Sequence, residues 1–154
     1  MGRGARAAVI LLVGIGLGSL RDLLFINLNY QIDHVRRATP GSYAHSQFQQ
    51  WVAGWDLTHL IRLKWALAGC FVICMWALCI LLLRNAGAAS KMTRPVSLIF
   101  GGIAVLAGLL HVLARWLPVE EAAVNLLHGI QYPVLLIVLQ VGLVLYPGPG
   151  PQRS

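Results

Sequence analysis

The chain has 154 residues, of which 58% are hydrophobic and only 11% are charged. Soluble globular domains carry about 25% charged residues, so the composition excludes an ordinary soluble domain, and the high apolar content excludes a disordered chain. Twelve lysines and arginines against five acidic residues give a net charge of +7. We therefore expect an all-α integral membrane protein, a four-helix bundle that forms a single membrane domain over residues 1–154.

Four apolar segments predict four membrane-spanning helices. The uncharged segment 65–83 is long enough to cross a hydrocarbon core of about 30 Å as a helix. Pro95 and Pro118 are expected to bound the third span, and Asp56 is expected to cap the helix that contains the second. The predicted spans are residues 7–28, 60–83, 96–117 and 126–146, followed by a flexible tail, 147–154, that is rich in proline and glycine.

The distribution of charge predicts the orientation. Four spans place both termini on one side of the membrane, and that side carries six basic residues and no acidic residue. All five acidic residues lie on the other side. Arg21 and Asp22 are expected inside the bundle near one membrane face. If Arg21, Arg62 and Arg115 are all embedded in the bundle, three basic loop residues remain outside, and the positive-inside rule puts both termini in the cytoplasm.

The loop 31–56 is the largest segment outside the predicted spans. It contains an apolar stripe at helical spacing, i, i+3, i+4 and i+7, formed by Phe48, Trp51, Val52 and Trp55. Aromatic residues of this kind favour the headgroup region of a bilayer. We expect residues 43–55 to form a short helix on the outer membrane surface, either as an interfacial anchor or as a lid over the bundle.

Small and ionisable residues recur at steps of three and four along the predicted spans. Because lipid gives helices no hydrophobic reason to associate, small residues at this spacing are expected to face other helices. The stripes are Gly14, Gly18 and Arg21 on the first span, His59, Arg62, Ala66 and Gly69 on the second, and Gly101, Ala104, Gly108, His111 and Arg115 on the third.

Each stripe ends in ionisable residues on its outer side. Such residues are expensive at membrane depth, so each is a functional hypothesis. The stripes, continued outward, bring polar side chains from all four helices toward one zone in the outer third of the bundle. The predicted binding site in this zone, the outer polar cluster, comprises Arg21, Asp22, His59, Arg62, His111, Arg115, Glu121, His128 and Tyr132.

Three interpretations of the outer polar cluster stay open. It is a structural network in which arginines pair with carboxylates, or it is an anion pocket for a lipid headgroup or a lipid-linked substrate, since arginine binds phosphate and carboxylate in bidentate fashion. The third interpretation is a zinc or haem site, because suitable donors are present. These donors are His59, His111, His128 and Glu121.

The chain has no G-x-S-x-G, P-loop or H-E-x-x-H sequence. We therefore predict no catalytic residues and no cofactor, and we expect a protein that is not an enzyme. The short basic runs do not indicate a nucleic-acid partner. The sequence favours an accessory or binding role, and the alternative is a small membrane enzyme or a metal- or haem-binding protein built on the three histidines.

Three short segments carry a resemblance to a known group of proteins. Residues 21–31 (RDLLFINLNYQ), 43–46 (YAHS) and 63–67 (LKWAL) resemble a set of small, four-span bacterial membrane proteins. Some members of that set are encoded beside exosortases, the transpeptidase-like membrane enzymes that process sorted surface proteins. The resemblance covers roughly the first half of the chain and implies an accessory role in envelope protein sorting, in the bacterial cytoplasmic membrane, with an exosortase-type enzyme as partner. It carries over no catalytic residues, and the chain lacks the Cys–Arg–His pattern expected of the processing enzyme.

Overall fold

The computed structural model describes residues 2–114, 116–118 and 120–145, without the side chains of Glu120 and Glu121. All regular secondary structure in these residues is helical, and this confirms the predicted all-α class. The predicted tail 147–154 lies outside the described residues. The helices are α1 (Arg3–Arg37), α2 (Ser46–Trp51), α3 (Leu57–Ala86), α4 (Ala89–Leu113), α5 (Glu120–Gln131) and α6 (Val134–Leu145).

Several of these helices have the length and apolarity of membrane spans. Within the described residues α1, α3 and α4 are each long and apolar enough to cross a membrane. The bent pair α5 and α6 is a fourth span if the two helices are taken together. The number of spanning helices is thus three or four, which supports the prediction of an integral membrane protein.

α1 is longer than the predicted first span. It continues to Arg37 because no glycine or proline occurs between Gly18 and Pro40. It ends in a Schellman motif, in which Ala38 adopts a φ of 48° and the Thr39 N–H donates to the His34 carbonyl at 3.3 Å. α1 therefore includes residues 31–37 of the predicted loop 31–56.

α3 begins and ends at the signals that the sequence contains. The Asp56 carboxylate accepts a hydrogen bond from the His59 N–H at 2.8 Å, as expected of an N-cap. At the other end Gly87 adopts a φ of 76°, and the Ala88 N–H donates to the Leu83 carbonyl at 2.9 Å. A glycine suits this left-handed position because it has no Cβ to clash.

The prolines act differently from the prediction. α4 begins at Ala89, so Pro95 lies inside the helix and does not introduce it. A proline there removes only one hydrogen-bond donor from a helix whose neighbouring bonds persist. The predicted fourth span is broken at Tyr132 and Pro133, where α5 and α6 meet at 48°. A proline in a helix interior removes a donor and its ring clashes with the preceding turn, which accounts for the bend.

The chain divides into two compact units. The hairpin unit is Leu17–Phe71, and the terminal unit is Met1–Gly16 together with Val72–Ser154. In the hairpin unit, Phe25 and Phe71 pack with their rings edge to face at 6.2 Å. A second cluster joins the end of α1 to α2 and to the start of α3, and it consists of Leu28, Ile32, Ala44, Phe48, Val52 and Leu60.

The terminal unit contains one close helix approach. A Cβ added to Gly14 would lie 2.6 Å from Leu136 Cδ2, so a larger residue at this point of α1 would require the Leu136 side chain to shift. Trp76 of α3 donates its indole N–H to the Ser97 hydroxyl of α4 at 3.0 Å. An apolar cavity of about 400 Å³ lies among α3, α4 and α6 and is lined by residues that include Cys79.

The small-residue stripes differ in burial among the three helices. On α1, Gly14, Gly18 and Arg21 are buried, as predicted. All four members of the α3 stripe are exposed, and on α4 Gly101 and Gly108 are exposed with open space where a Cβ would stand. The predicted burial of these two stripes is wrong. α3 and α4 instead bury leucine, phenylalanine and methionine side chains, which make more van der Waals contacts than glycine does.

Candidate functional site

Arg21 and Asp22 form an ion pair on α1. The Arg21 Nη1 donates to Asp22 Oδ1 at 2.8 Å, and the Arg21 side chain is almost fully buried, whereas that of Asp22 is half-buried. The guanidinium also lies 4.8 Å from the centre of the Phe25 ring, a cation–π distance. The carboxylate and the aromatic face together compensate the charge, so the pair is electrically neutral within a spanning helix.

The contact of Phe25 with Phe71 gives the level of the pair along α3. Phe71 stands six residues, or about 9 Å, inside the uncharged segment 65–83, and its ring contacts Phe25. In the hairpin unit α1 runs antiparallel to α3, and Arg21 is one turn, or about 6 Å, beyond Phe25 in the same direction. Arg21 therefore lies about 15 Å along the helix axis from the level of residue 65, where the uncharged segment begins.

The start of α3 carries a second polar pair. The His59 ring Nδ1 lies 2.7 Å from Asp56 Oδ1, and both side chains are mostly exposed. The hydrogen bond from the His59 backbone N–H, reinforced by that of its ring, lowers the pKa of Asp56 from its usual value of 3.8. The Trp55 ring packs edge to face against His59 at 6.3 Å. Arg62, one turn further along α3, is exposed.

The segment between α1 and α3, residues 38–56, forms a folded structure that we name the loop cap. The His45 backbone N–H donates to Asn27 Oδ1 at 2.6 Å, which attaches the loop cap to α1. The Gln49 amide donates to the carbonyls of Ser42 and Ala44 and closes the loop on itself. His45 also caps α2 by accepting from the Gln47 N–H.

The predicted apolar stripe of the loop cap does not form one face. Phe48 and Val52 are buried in the core of the hairpin unit, whereas Trp51 is 72% exposed and Trp55 is also exposed. The predicted helix over residues 43–55 is wrong in extent, because α2 covers only Ser46–Trp51. One and a half helical turns cannot carry a stripe of that length, so the residues that follow α2 leave the helical spacing.

The terminal unit contains the other described members of the outer polar cluster. His128 and Tyr132, at the end of α5, pack with their rings edge to face at 6.3 Å. His111 is half-buried in the last turn of α4, and α4 packs against α5. Arg115 lies outside the described residues, as does the side chain of Glu121. The meeting of these residues with Arg21, Asp22, His59 and Arg62 stays a prediction.

The donors proposed for a metal are not assembled in the part of the chain that the structure describes. No group of three or more histidine, cysteine, aspartate or glutamate side chains stands there in a position to hold a metal ion. His59 instead contacts the carboxylate on its own helix. The Glu121 side chain lies outside the part of the chain that the structure describes.

Several buried or hydrogen-bonded polar residues are not members of the predicted outer polar cluster. Gln131 is fully buried, and Gln31 is buried with an Oε1 atom that accepts no hydrogen bond from the described residues. Asn27 and His45 join the loop cap to α1. The signal for Asn27 was its place in an apolar pattern at membrane depth, but its partner is far away in sequence and only the folded chain reveals it.

Comparison with known proteins gives no match. No protein-family model, no curated protein and no solved structure is significantly similar to the chain.

Proposed function

We propose that the chain is a non-enzymatic accessory protein of a bacterial cytoplasmic membrane, and that it binds an integral membrane partner through the loop cap. One observation carries the proposal. The loop cap is folded on its own helices by hydrogen bonds and a buried core, yet it leaves Tyr43 88% exposed and Trp51 72% exposed.

The exposed aromatic residues have the properties of a binding surface. Tyrosine and tryptophan are enriched at the centres of protein interfaces, where they contribute much of the binding energy. A surface that is already ordered loses little conformational entropy on binding. The Tyr43 ring also packs edge to face against Tyr30 at 6.1 Å, which limits its freedom before a partner arrives.

The start of α3 extends this surface with polar groups. Asp56 is the last residue of the loop cap, and His59 and Arg62 are exposed on the first turns of α3. These groups offer hydrogen bonds and charge at the rim of an aromatic centre, as in many protein interfaces. In this proposal they are the part of the outer polar cluster that meets the partner, while Arg21 and Asp22 serve the fold.

The sequence supports the orientation and the partner in this proposal. The positive-inside rule supports cytoplasmic termini and a loop cap on the outer face. The resemblance of residues 21–31, 43–46 and 63–67 to proteins encoded beside exosortases supports an exosortase-type enzyme as the partner. The role of the protein would then be in the sorting of envelope proteins.

Site-specific photocrosslinking in intact cells tests this function. A photoreactive phenylalanine analogue at Tyr43 or Trp51 is expected to give a discrete protein adduct, which mass spectrometry identifies as an exosortase-type membrane enzyme. The matched control is Gln50, which is exposed next to Trp51 on α2. Adducts with lipid alone would show that the loop cap is an interfacial anchor and would contradict the proposal.

A further inference from the structure

A groove in the terminal unit combines cationic and apolar side chains. Its volume is about 440 Å³, and it lies between the start of α1 and the end of α3. The Asn85 side-chain amide donates to the Arg3 carbonyl at 2.9 Å and thereby fixes the two helix ends side by side. The groove is lined by Arg6, Val9, Ile10, Leu81, Arg84 and Asn85.

The two kinds of side chain occupy different depths. Arg6 directly precedes the apolar segment that begins at Ala7, and Arg84 directly follows the uncharged segment 65–83. Both arginines therefore stand at the boundary of the hydrocarbon core, where lipid phosphates lie. Val9 and Leu81 lie about one helical turn further into the core. The groove is polar at headgroup level and apolar at the level of the acyl chains.

Charge around the groove favours an anionic ligand. Arg3, Arg6 and Arg84 belong to these helix ends, and Lys91 and Arg94 follow in the first turns of α4. The sequence contains no carboxylate side chain before Asp22 and none between Asp56 and Glu120. Two arginines on neighbouring helices can bind a phosphate through several charge-assisted hydrogen bonds.

We propose that this groove is a binding site for an anionic phospholipid, with the phosphate held by Arg6 and Arg84 and the upper acyl chain packed on Val9, Ile10 and Leu81. A phospholipid fits both parts of the groove, whereas a soluble phosphate fits only the first. The site is formed by the amino-terminal end of α1 and is independent of the loop cap, so it adds a ligand to the proposed accessory role and does not depend on it.

Native mass spectrometry of the purified full-length chain tests the site. The protein is mixed with phosphatidylglycerol and with phosphatidylcholine that carry the same acyl chains. Two arginines at headgroup level predict a preference for phosphatidylglycerol of about thirtyfold. The Arg6→Gln/Arg84→Gln variant is expected to lose this preference. The Arg36→Gln/Arg37→Gln variant, which loses the same charge at the other end of α1, should retain it.

Further measurements separate the outcomes. The Arg6→Lys/Arg84→Lys variant keeps the charge and loses bidentate geometry, so it should retain only part of the preference. Circular dichroism is expected to be unchanged in both variants, because the two arginines are exposed, and the lysine variant decides the matter if the glutamine variant fails to fold. An equal loss in the Arg36 and Arg37 control, or displacement of the lipid by inorganic phosphate alone, would overturn the proposal.

Discussion

Arg21 is a buried cation in a helix that is long and apolar enough to span a membrane. An arginine without compensation at the centre of a bilayer costs about 2.5–3.5 kcal/mol on insertion scales. In this chain Arg21 is 2% exposed, and its guanidinium contacts Asp22 and lies over Phe25. Asp22 and Phe25 lie on the same helix as Arg21, so these contacts are kept in any rotation of α1. The burial of Arg21 is not, because another rotation would turn the cation toward lipid. We therefore assign the pair to the specificity of the fold.

This role predicts an asymmetric response to mutation. Arg21→Leu leaves the Asp22 carboxylate without this counter-ion at membrane depth and should lower the free energy of unfolding by about 2.5–3.5 kcal/mol. Arg21→Leu/Asp22→Leu should recover most of that loss, because two apolar side chains replace the pair. Reversible unfolding in mixed detergent micelles measures both, with the exposed Leu23→Ala as control. An Arg21→Leu variant as stable as the wild type would refute the assignment.

Asp56 provides a pH-dependent contribution at the start of α3. Its pKa is lowered from 3.8 chiefly because it accepts the His59 backbone N–H. A carboxylate with a lowered pKa stabilises the folded state above its unfolded pKa, and this contribution disappears as the pH falls through the lowered value. The first turn of α3 should therefore remain capped at neutral pH and fray only in acid.

The His59 backbone N–H lowers the pKa of Asp56 more than the His59 ring does, so the effect of each substitution on this pKa can be predicted. Carbon-detected NMR titration should place its pKa below 3.8. His59→Ala should raise the pKa only part of the way, because the backbone donor remains, and Thr58→Ala, which also keeps the backbone donor, should leave it nearly unchanged. A wild-type carboxyl group that titrates at its usual value would contradict the capping arrangement.

At the scale of elements, the loop cap contains one set of buried aromatic and apolar residues and another set of exposed aromatic residues. Phe48 and Val52 pack in the core of the hairpin unit and hold α2 there. Trp51 and Tyr43 are exposed and do not take part in that packing. The same short segment thus supplies both an internal anchor and an outward surface. A plain interfacial helix would place all its aromatic residues on one membrane-facing side.

Alanine substitutions should distinguish the two roles. Phe48→Ala is expected to lower the free energy of unfolding by about 3 kcal/mol and to increase hydrogen exchange throughout residues 38–56, because it leaves a cavity. Trp51→Ala, at an exposed position, should change stability by less than about 0.5 kcal/mol and should still reduce the partner adduct. Equal destabilisation by both substitutions would show that Trp51 packs in the core.

The elements also show which features the sequence can predict. Hydropathy located the long apolar helices, and the Asp56 cap located the start of α3, because these signals depend on residues close in sequence. Pro95 and Pro133 share one local chemistry, yet one is accommodated in α4 and the other separates α5 from α6. The proline alone therefore does not predict whether a helix continues or breaks.

The candidate site was less predictable than the helices. The burial of Gly14 and Arg21 followed from small-residue spacing, but the same spacing on α3 and α4 marks exposed faces. Spacing identifies residues that share a face and does not say whether that face is covered. The contact of Asn27 with His45 depends on residues far apart in sequence, and the sequence carried no pairing signal for it.

At the scale of the whole molecule, α1 contributes residues near each of its ends to a different proposed surface. The loop cap follows α1, and the basic groove lies at the beginning of the same helix. α1 has 35 residues and is about 52 Å long, which exceeds the thickness of the hydrocarbon core of about 30 Å. We expect α1 to cross the membrane once, with its first residues in the cytoplasm and the chain that follows it outside.

Cysteine accessibility in intact cells tests this arrangement most directly. In a background with Cys70, Cys74 and Cys79 replaced by alanine, single cysteines are placed at the exposed Ser46 and Ser90. A membrane-impermeant maleimide should label position 46 in intact cells and position 90 only after permeabilisation. Labelling of both positions from the same side would contradict the crossing, and the reverse pattern would contradict an outward-facing loop cap.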